Sequence, residues 1–172
     1  MRSKSSSGTA RAAAVAAVLG WSSPSTSQAK VHDACELLTA SEIAQALKVP
    51  AVKKDQLNSG MHVSGSVDIC NWYINENAPG GLEIRWYRAS GGDTEPLAEY
   101  SAAKGDAFEH DSRRTQQAQS VPGLGAEALY GPWPDNRGGS VALRGRDGAV
   151  ALSGSATREA LLALARLIVS RM

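Results

Sequence analysis

The stretch SVALRGRDGAVALS, residues 140–153, has the form of a β-hairpin. Two short runs, Ser140–Arg144 and Ala149–Ser153, flank Gly145-Arg146-Asp147-Gly148. Asp-Gly is a strong hairpin signal, because glycine accepts positive φ without a steric penalty. The two runs therefore pair as antiparallel strands. Working outward, Leu82, Ile84 and Trp86 alternate with Glu83 and Arg85, the pattern of a half-buried antiparallel strand. Before it, Val67–Ile74 places Val67, Ile69, Asn71 and Tyr73 on one side and Asp68, Cys70, Trp72 and Ile74 on the other. Neither side is cleanly apolar, so this strand is central but its inner face stays open. A turn over Asn75–Gly81, with Pro79-Gly80-Gly81, joins the two strands. Residues 51–57 supply a first strand, 58–65 a loop, and Gly125–Tyr130 leads into another short strand. The polar run Glu109–Ser120 reads as loop or partial strand.

Three helices surround these strands. Thr39 with Glu42 three residues later forms a capping box, and Leu38 and Ile43 suit a hydrophobic staple. That helix ends near Lys48, because Pro50 disfavours helical geometry at Val49. A weakly amphipathic helix, capped by Asp93 or Thr94 with Pro96 in its first turn, carries Leu97, Tyr100, Ser101 and Lys104 and runs to about Lys104. At the end of the chain, Leu161, Leu164, Ala165 and Ile168 recur at helical spacing. The wide apolar face of that helix predicts packing across a sheet; a membrane-surface helix is the alternative, although its polar face lacks lysines. The fold class is α+β: one domain over residues 30–172, an antiparallel sheet of about five to six strands, and two to three helices packed on one face of it.

The first 29 residues read as a secretory signal. Arg2, Lys4 and Arg11 precede a short apolar run, Ala12–Trp21, and Ser27-Gln28-Ala29 fits signal-peptidase cleavage. The run is about half the length a spanning helix needs. Val31-His32-Asp33-Ala34 before Cys35 lacks the apolar-small pattern of a lipid-anchoring site, so the expected product is periplasmic or secreted and not lipid-anchored. Cleavage removes three of 18 basic residues and none of 17 acidic ones, leaving 15 against 17, net −2. That balance argues against non-specific nucleic-acid binding and supplies no polybasic membrane patch. Only Cys35 and Cys70 are present, and an isolated pair in an oxidising compartment forms a disulfide. Their spacing is unlike Cys-x-x-Cys redox chemistry.

Motifs for catalysis and cofactors are missing from the sequence. Ser64-Gly65-Ser66 and Ser153-Gly154-Ser155 are not nucleophile elbows, and His110-Asp111 are too close along the chain to orient one another as a triad does. Gly80-Gly81, Gly91-Gly92 and Gly138-Gly139 match no phosphate loop and read as turns. His32, His62 and His110 show no metal-ligand spacing with the cysteines, and Met61-His62 alone is a weak metal pair. No catalytic residue, metal site or cofactor is expected.

Four segments carry a resemblance: Cys35-x-Leu37-Leu38-Thr39-x-x-Glu42, Cys70-x-Trp72, Val121-Pro122-Gly123-Leu124-Gly125-x-Glu127-Ala128, and the terminal amphipathic helix. The chain resembles a broad group of exported bacterial proteins of unknown function, many of them lipoproteins. The resemblance implies a Cys35–Cys70 pairing and brings no activity or catalytic residues. Within the third segment, Gly123 or Gly125 is suited to positive φ and Leu124 to plugging the core.

The candidate site is the loop YGPWPDNRGG, residues 130–139. Pro132 and Pro134 fix the backbone on both sides of Trp133, which lowers the entropy lost on binding. Trp and Arg are favoured interface anchors, so Trp133, Arg137 and Tyr130 are the candidate partner-contacting residues. The alternative is that Trp133 folds back as a cover for the core edge. The leading functional expectation is a non-enzymatic module binding a protein or small ligand. The alternatives are a structural or accessory subunit of an envelope assembly and, third, a hydrolase with an unrecognised site.

Overall fold

The computed structural model describes residues 33–57, 59, 61–63, 67–74, 81–89, 97–109 and 112–172. The expected signal segment, the Pro79-Gly80 turn, the Asp93/Thr94 cap and His110-Asp111 lie outside them. The strands are β1 (Lys53–Lys54), β2 (Met61–Val63), β3 (Val67–Tyr73), β4 (Gly81–Arg88), β5 (Gln119–Ser120), β6 (Glu127–Pro132), β7 (Gly139–Arg144) and β8 (Gly148–Gly154). The helices are α1 (Ala40–Leu47), α2 (Leu97–Phe108), α3 (Ser112–Gln117) and α4 (Arg158–Val169). All strands join one antiparallel sheet in the order β1-β3-β4-β8-β7-β6-β5, with β2 also pairing β3. Two sets of strands, β1–β4 with β1 and β2 both pairing β3 and the meander β5–β8, are thus stitched together by the β4–β8 pair.

The β7–β8 hairpin forms as its sequence dictates. Val141 faces Leu152 and Leu143 faces Val150 across the ladder, and the Gly145 amide donates to the Gly148 carbonyl at 2.9 Å. Gly148 adopts φ +146°, and a Cβ there would meet the Tyr87 carbonyl at 2.1 Å, so the Asp-Gly step also permits close approach of β4.

The sheet is covered on both faces, not one. On the first face Cys70, Trp72, Leu82, Ile84, Trp86, Val141, Leu143, Val150 and Leu152 pack beneath Leu161, Leu164, Ala165 and Ile168 of α4 and Ile43 of α1. On the second face Ala142, Ala149 and Ala151 receive Tyr100, Ala103, Ala107 and Phe108 of α2. The alanines let helix and sheet approach closely while contributing little to a hydrophobic periodicity, which is why the sequence shows α2 only weakly. The same burial of Ala107 and Phe108 carries α2 one turn past Lys104.

The count of elements also exceeds the expectation. The two- and three-residue strands β1, β2 and β5 are too short to give a periodic signal, and α3 lies in the polar 109–120 run read as loop or partial strand. The local signals at α1 behave as read. The Thr39 hydroxyl accepts from the Glu42 amide at 3.3 Å, while the Glu42 carboxylate accepts from the Thr39 amide at 2.8 Å. Leu38 and Ile43 are buried together, and α1 ends with Lys48 in the left-handed region. Gly123 and Gly125 both take positive φ, and Leu124 is buried in the first-face core. Cys35 and Cys70 form the disulfide, tying the segment before α1 to the middle of β3. Closing a loop of this length contributes about 3–4 kcal/mol by constraining the unfolded chain. None of the helices among the described residues is long and apolar enough to cross a membrane.

Candidate functional site

The register of the central strands aligns the second-face side chains in rows. Val67, Tyr87 and Ala149 form one row; Ile69, Arg85, Ala151 and Ala142 form the next; Asn71, Glu83, Ser153 and Ser140 form the third. Side chains in a row sit about 5 Å apart because neighbouring strands do. The first two rows are largely apolar on β7 and β8, and α2 packs there. The third row is polar throughout. Its Asn71, Glu83 and Ser153 floor an open trough of about 580 Å³, walled by Asp55, Tyr73 and Trp133. Through Ile69 and Arg85 the trough adjoins a second cavity of about 390 Å³ that reaches Asp106 and Glu109 on the α2 side.

Trp133 is pinned into this wall. Its indole N–H donates to Ser140 Oγ at 3.3 Å, and Ser153 Oγ donates to the same oxygen at 2.9 Å. Ser140 is fully buried, so these bonds satisfy a hydroxyl that water does not reach. The Arg114 guanidinium lies over the indole, 5.6 Å from its centroid. The loop closes on itself: the Trp133 amide donates to the Gly138 carbonyl at 2.9 Å, and the Asn136 amide donates to the Trp133 carbonyl at 2.9 Å. Gly138 is required here. A Cβ on it would come within 2.6 Å of the indole and 2.3 Å of the Gly154 carbonyl.

On the opposite wall, Tyr73 donates its hydroxyl to Asp55 Oδ2 at 2.7 Å, and the Leu57 amide donates to Asp55 Oδ1 at 2.9 Å. Asp55 is itself buried. Between the walls, Arg85 donates Nε to Glu83 at 2.8 Å and Nη1 to Asp106 at 2.7 Å, and the Tyr87 hydroxyl also donates to Asp106. Burial opposes the charge on Arg85, but the hydrogen bonds and negative charges of Asp106 and Glu83 outweigh it, so its pKa lies above the ordinary arginine value. Arg85 is thus a fixed cation on the α2 side of the trough, held by carboxylates from the sheet and from α2.

Of the three residues singled out in the 130–139 loop, the trough contains Trp133 alone. Tyr130 is buried in the core of the other face, with Arg158 over its ring at 5.3 Å. Arg137 is exposed on the turn, its amide bonded to Asp135. The sequence reading missed Asp55, Asn71, Tyr73, Glu83 and Ser153 as one group. A signal was present in the mixed polarity of Val67–Tyr73 and in Glu83 and Arg85, but grouping them needs the strand register. The described residues contain no group of three His, Cys, Asp or Glu side chains placed to hold a metal ion. What the trough offers is recognition: an amide, hydroxyls, carboxylates and a guanidinium between two aromatic walls. Comparison with family models, with curated proteins and with solved structures returned no match for this chain.

Proposed function

We propose that this chain is an exported, non-enzymatic binding module that takes its ligand in the trough between Tyr73 and Trp133, and that it works in the periplasm or as a secreted protein. One observation carries the reading. The sheet face that α2 covers elsewhere is left open over a polar row, and beside that opening an indole is fixed by Ser140, Gly138 and Arg114. A pre-positioned aromatic side chain loses little conformational freedom on binding, which favours affinity. The disulfide, the signal-like first 29 residues and the resemblance to exported bacterial proteins support the compartment. An accessory role in an envelope assembly is the second reading. Its contact would lie where the two exposed large hydrophobics of the described residues, Leu57 (88%) and Tyr73 (44%), both bond Asp55.

Native mass spectrometry of the protein exported with its own signal tests both. The binding reading expects cleavage after Ala29 and a co-purifying small mass that disappears in Trp133→Ala. A cleaved protein that carries no added mass, and whose Trp133 responds to no envelope extract, sinks it. A protein partner whose capture depends on Leu57 and not on Trp133 selects the second reading.

A further inference from the structure

We infer that the ligand class of the trough is a neutral glycan, seated as one or two sugar rings between Tyr73 and Trp133. The inference rests on the binding reading above and names its chemistry. The Tyr73 hydroxyl is engaged by Asp55 and the Trp133 N–H by Ser140. Tyr73 is nonetheless 44% exposed, and Trp133, half-buried, lines the cavity. A ligand therefore meets ring carbons on both walls, which demands apolar C–H surface from it.

The floor demands the opposite. Asn71, Glu83 and Ser153 stand in one register row on three adjacent strands, with Arg85 in the next row. The Asn71 amide both donates and accepts, the Ser153 hydroxyl, whose proton goes to Ser140, accepts, the Glu83 carboxylate accepts, and the Arg85 guanidinium donates. A wholly apolar ligand would desolvate these groups without replacing their hydrogen bonds. Groups that both donate and accept, spaced along an otherwise apolar ring, meet all of them at once. Sugar hydroxyls do this.

Charge and backbone exclude other classes. Asp55 and Glu83 repel an anionic ligand, while Arg85, in the row beside Glu83, lessens the attraction for a simple cation. A peptide adding as an extra strand needs an unpaired strand edge. Here β4 is paired on both sides, by β3 and β8, and the trough floor is a sheet face.

The test is an NMR titration of the intact exported protein, following the Trp133 indole N–H and the Asn71 side-chain amide. The probes are a panel of neutral malto-, cello-, chito- and manno-oligosaccharides at millimolar concentration, with trilysine, a fatty acid and a phosphosugar as comparators. The expected result is that at least one neutral oligosaccharide shifts both signals saturably. Trp133→Ala and Asn71→Ala each weaken that binding about tenfold, and Trp133→Phe weakens it less than Trp133→Ala does. Unmoved Trp72 and Trp86 signals show that the variants remain folded. If only a comparator shifts Trp133, the glycan class is overturned and the binding reading stands. If neither the panel, the comparators nor an envelope extract moves either signal, both fall.

Discussion

Arg171 lies two residues beyond α4, yet it reaches back to the start of the fold. Its guanidinium donates to the Leu37 carbonyl at 2.5 Å and grips both carboxylate oxygens of Glu42, one of them at 3.0 Å. The hydrogen bond from Arg171 is the main reason that Glu42 titrates at about 2 rather than 4.5; burial opposes it, and Thr39 adds further hydrogen bonds. A displacement of that size corresponds to about 3 kcal/mol. The two side chains are 27% and 25% exposed, so solvent screening lowers the pair's share to about 1–2 kcal/mol. The sign follows from the depressed folded-state value. The stabilisation is complete above the unfolded value of 4.5 and is lost as pH falls from 4.5 towards 2. The perturbation is a double-mutant cycle of Glu42→Gln and Arg171→Met, read by urea unfolding followed through tryptophan fluorescence. The expected coupling is about 1–2 kcal/mol near neutral pH, shrinking towards zero near the acid end of that window. A coupling below about 0.3 kcal/mol at neutral pH, or one that survives acidification unchanged, refutes the reasoning.

Three further perturbations probe other links. Ala151→Leu places a large side chain where α2 lies against the sheet, and overpacking there should lower stability by about 1–3 kcal/mol; an unchanged urea midpoint would mean that the alanine floor is not tightly packed. Gly138→Ala should drive the indole of Trp133 away from Ser140, seen as a red shift of its emission and loss of its distinct indole N–H resonance, because the added Cβ has only 2.6 Å to the ring. Retention of both signals would show that the loop yields instead. Replacing Cys35 and Cys70 together by alanine should cost about 2–4 kcal/mol in urea unfolding, and a loss below about 1 kcal/mol would argue against the loop-closure account.

Local chemistry was legible along the chain. The Asp147-Gly148 reversal, the Thr39/Glu42 capping box, the positive φ at Gly123 and Gly125 and the face of α4 each depend on residues a few positions apart. The two cysteines, alone in the sequence, indicated the bond they form. Trp133 stands out because prolines and glycines around an indole are visible in sequence. Tyr130 was grouped with it for the same reason, although a β-strand sends Tyr130 to the other face.

What tertiary structure decided was adjacency between distant segments. Asn71, Glu83 and Ser153 span more than half of the described chain, and their alignment in one row follows from the antiparallel registers of β3, β4 and β8. No periodicity within any one strand encodes that alignment, because register is set by pairing between strands. The second helical layer was hidden for a related reason. Ala103, Ala107, Ala142 and Ala151 are buried because they are small enough for close approach, a property that appears only when the two surfaces meet. Residues near one another in the chain thus specify the longer strands, α1 with its capping box, the face of α4 and the disulfide, whose causes are local or unique. The open trough, and which polar residues floor it, came from how far α2 extends across a sheet face whose rows change from apolar to polar.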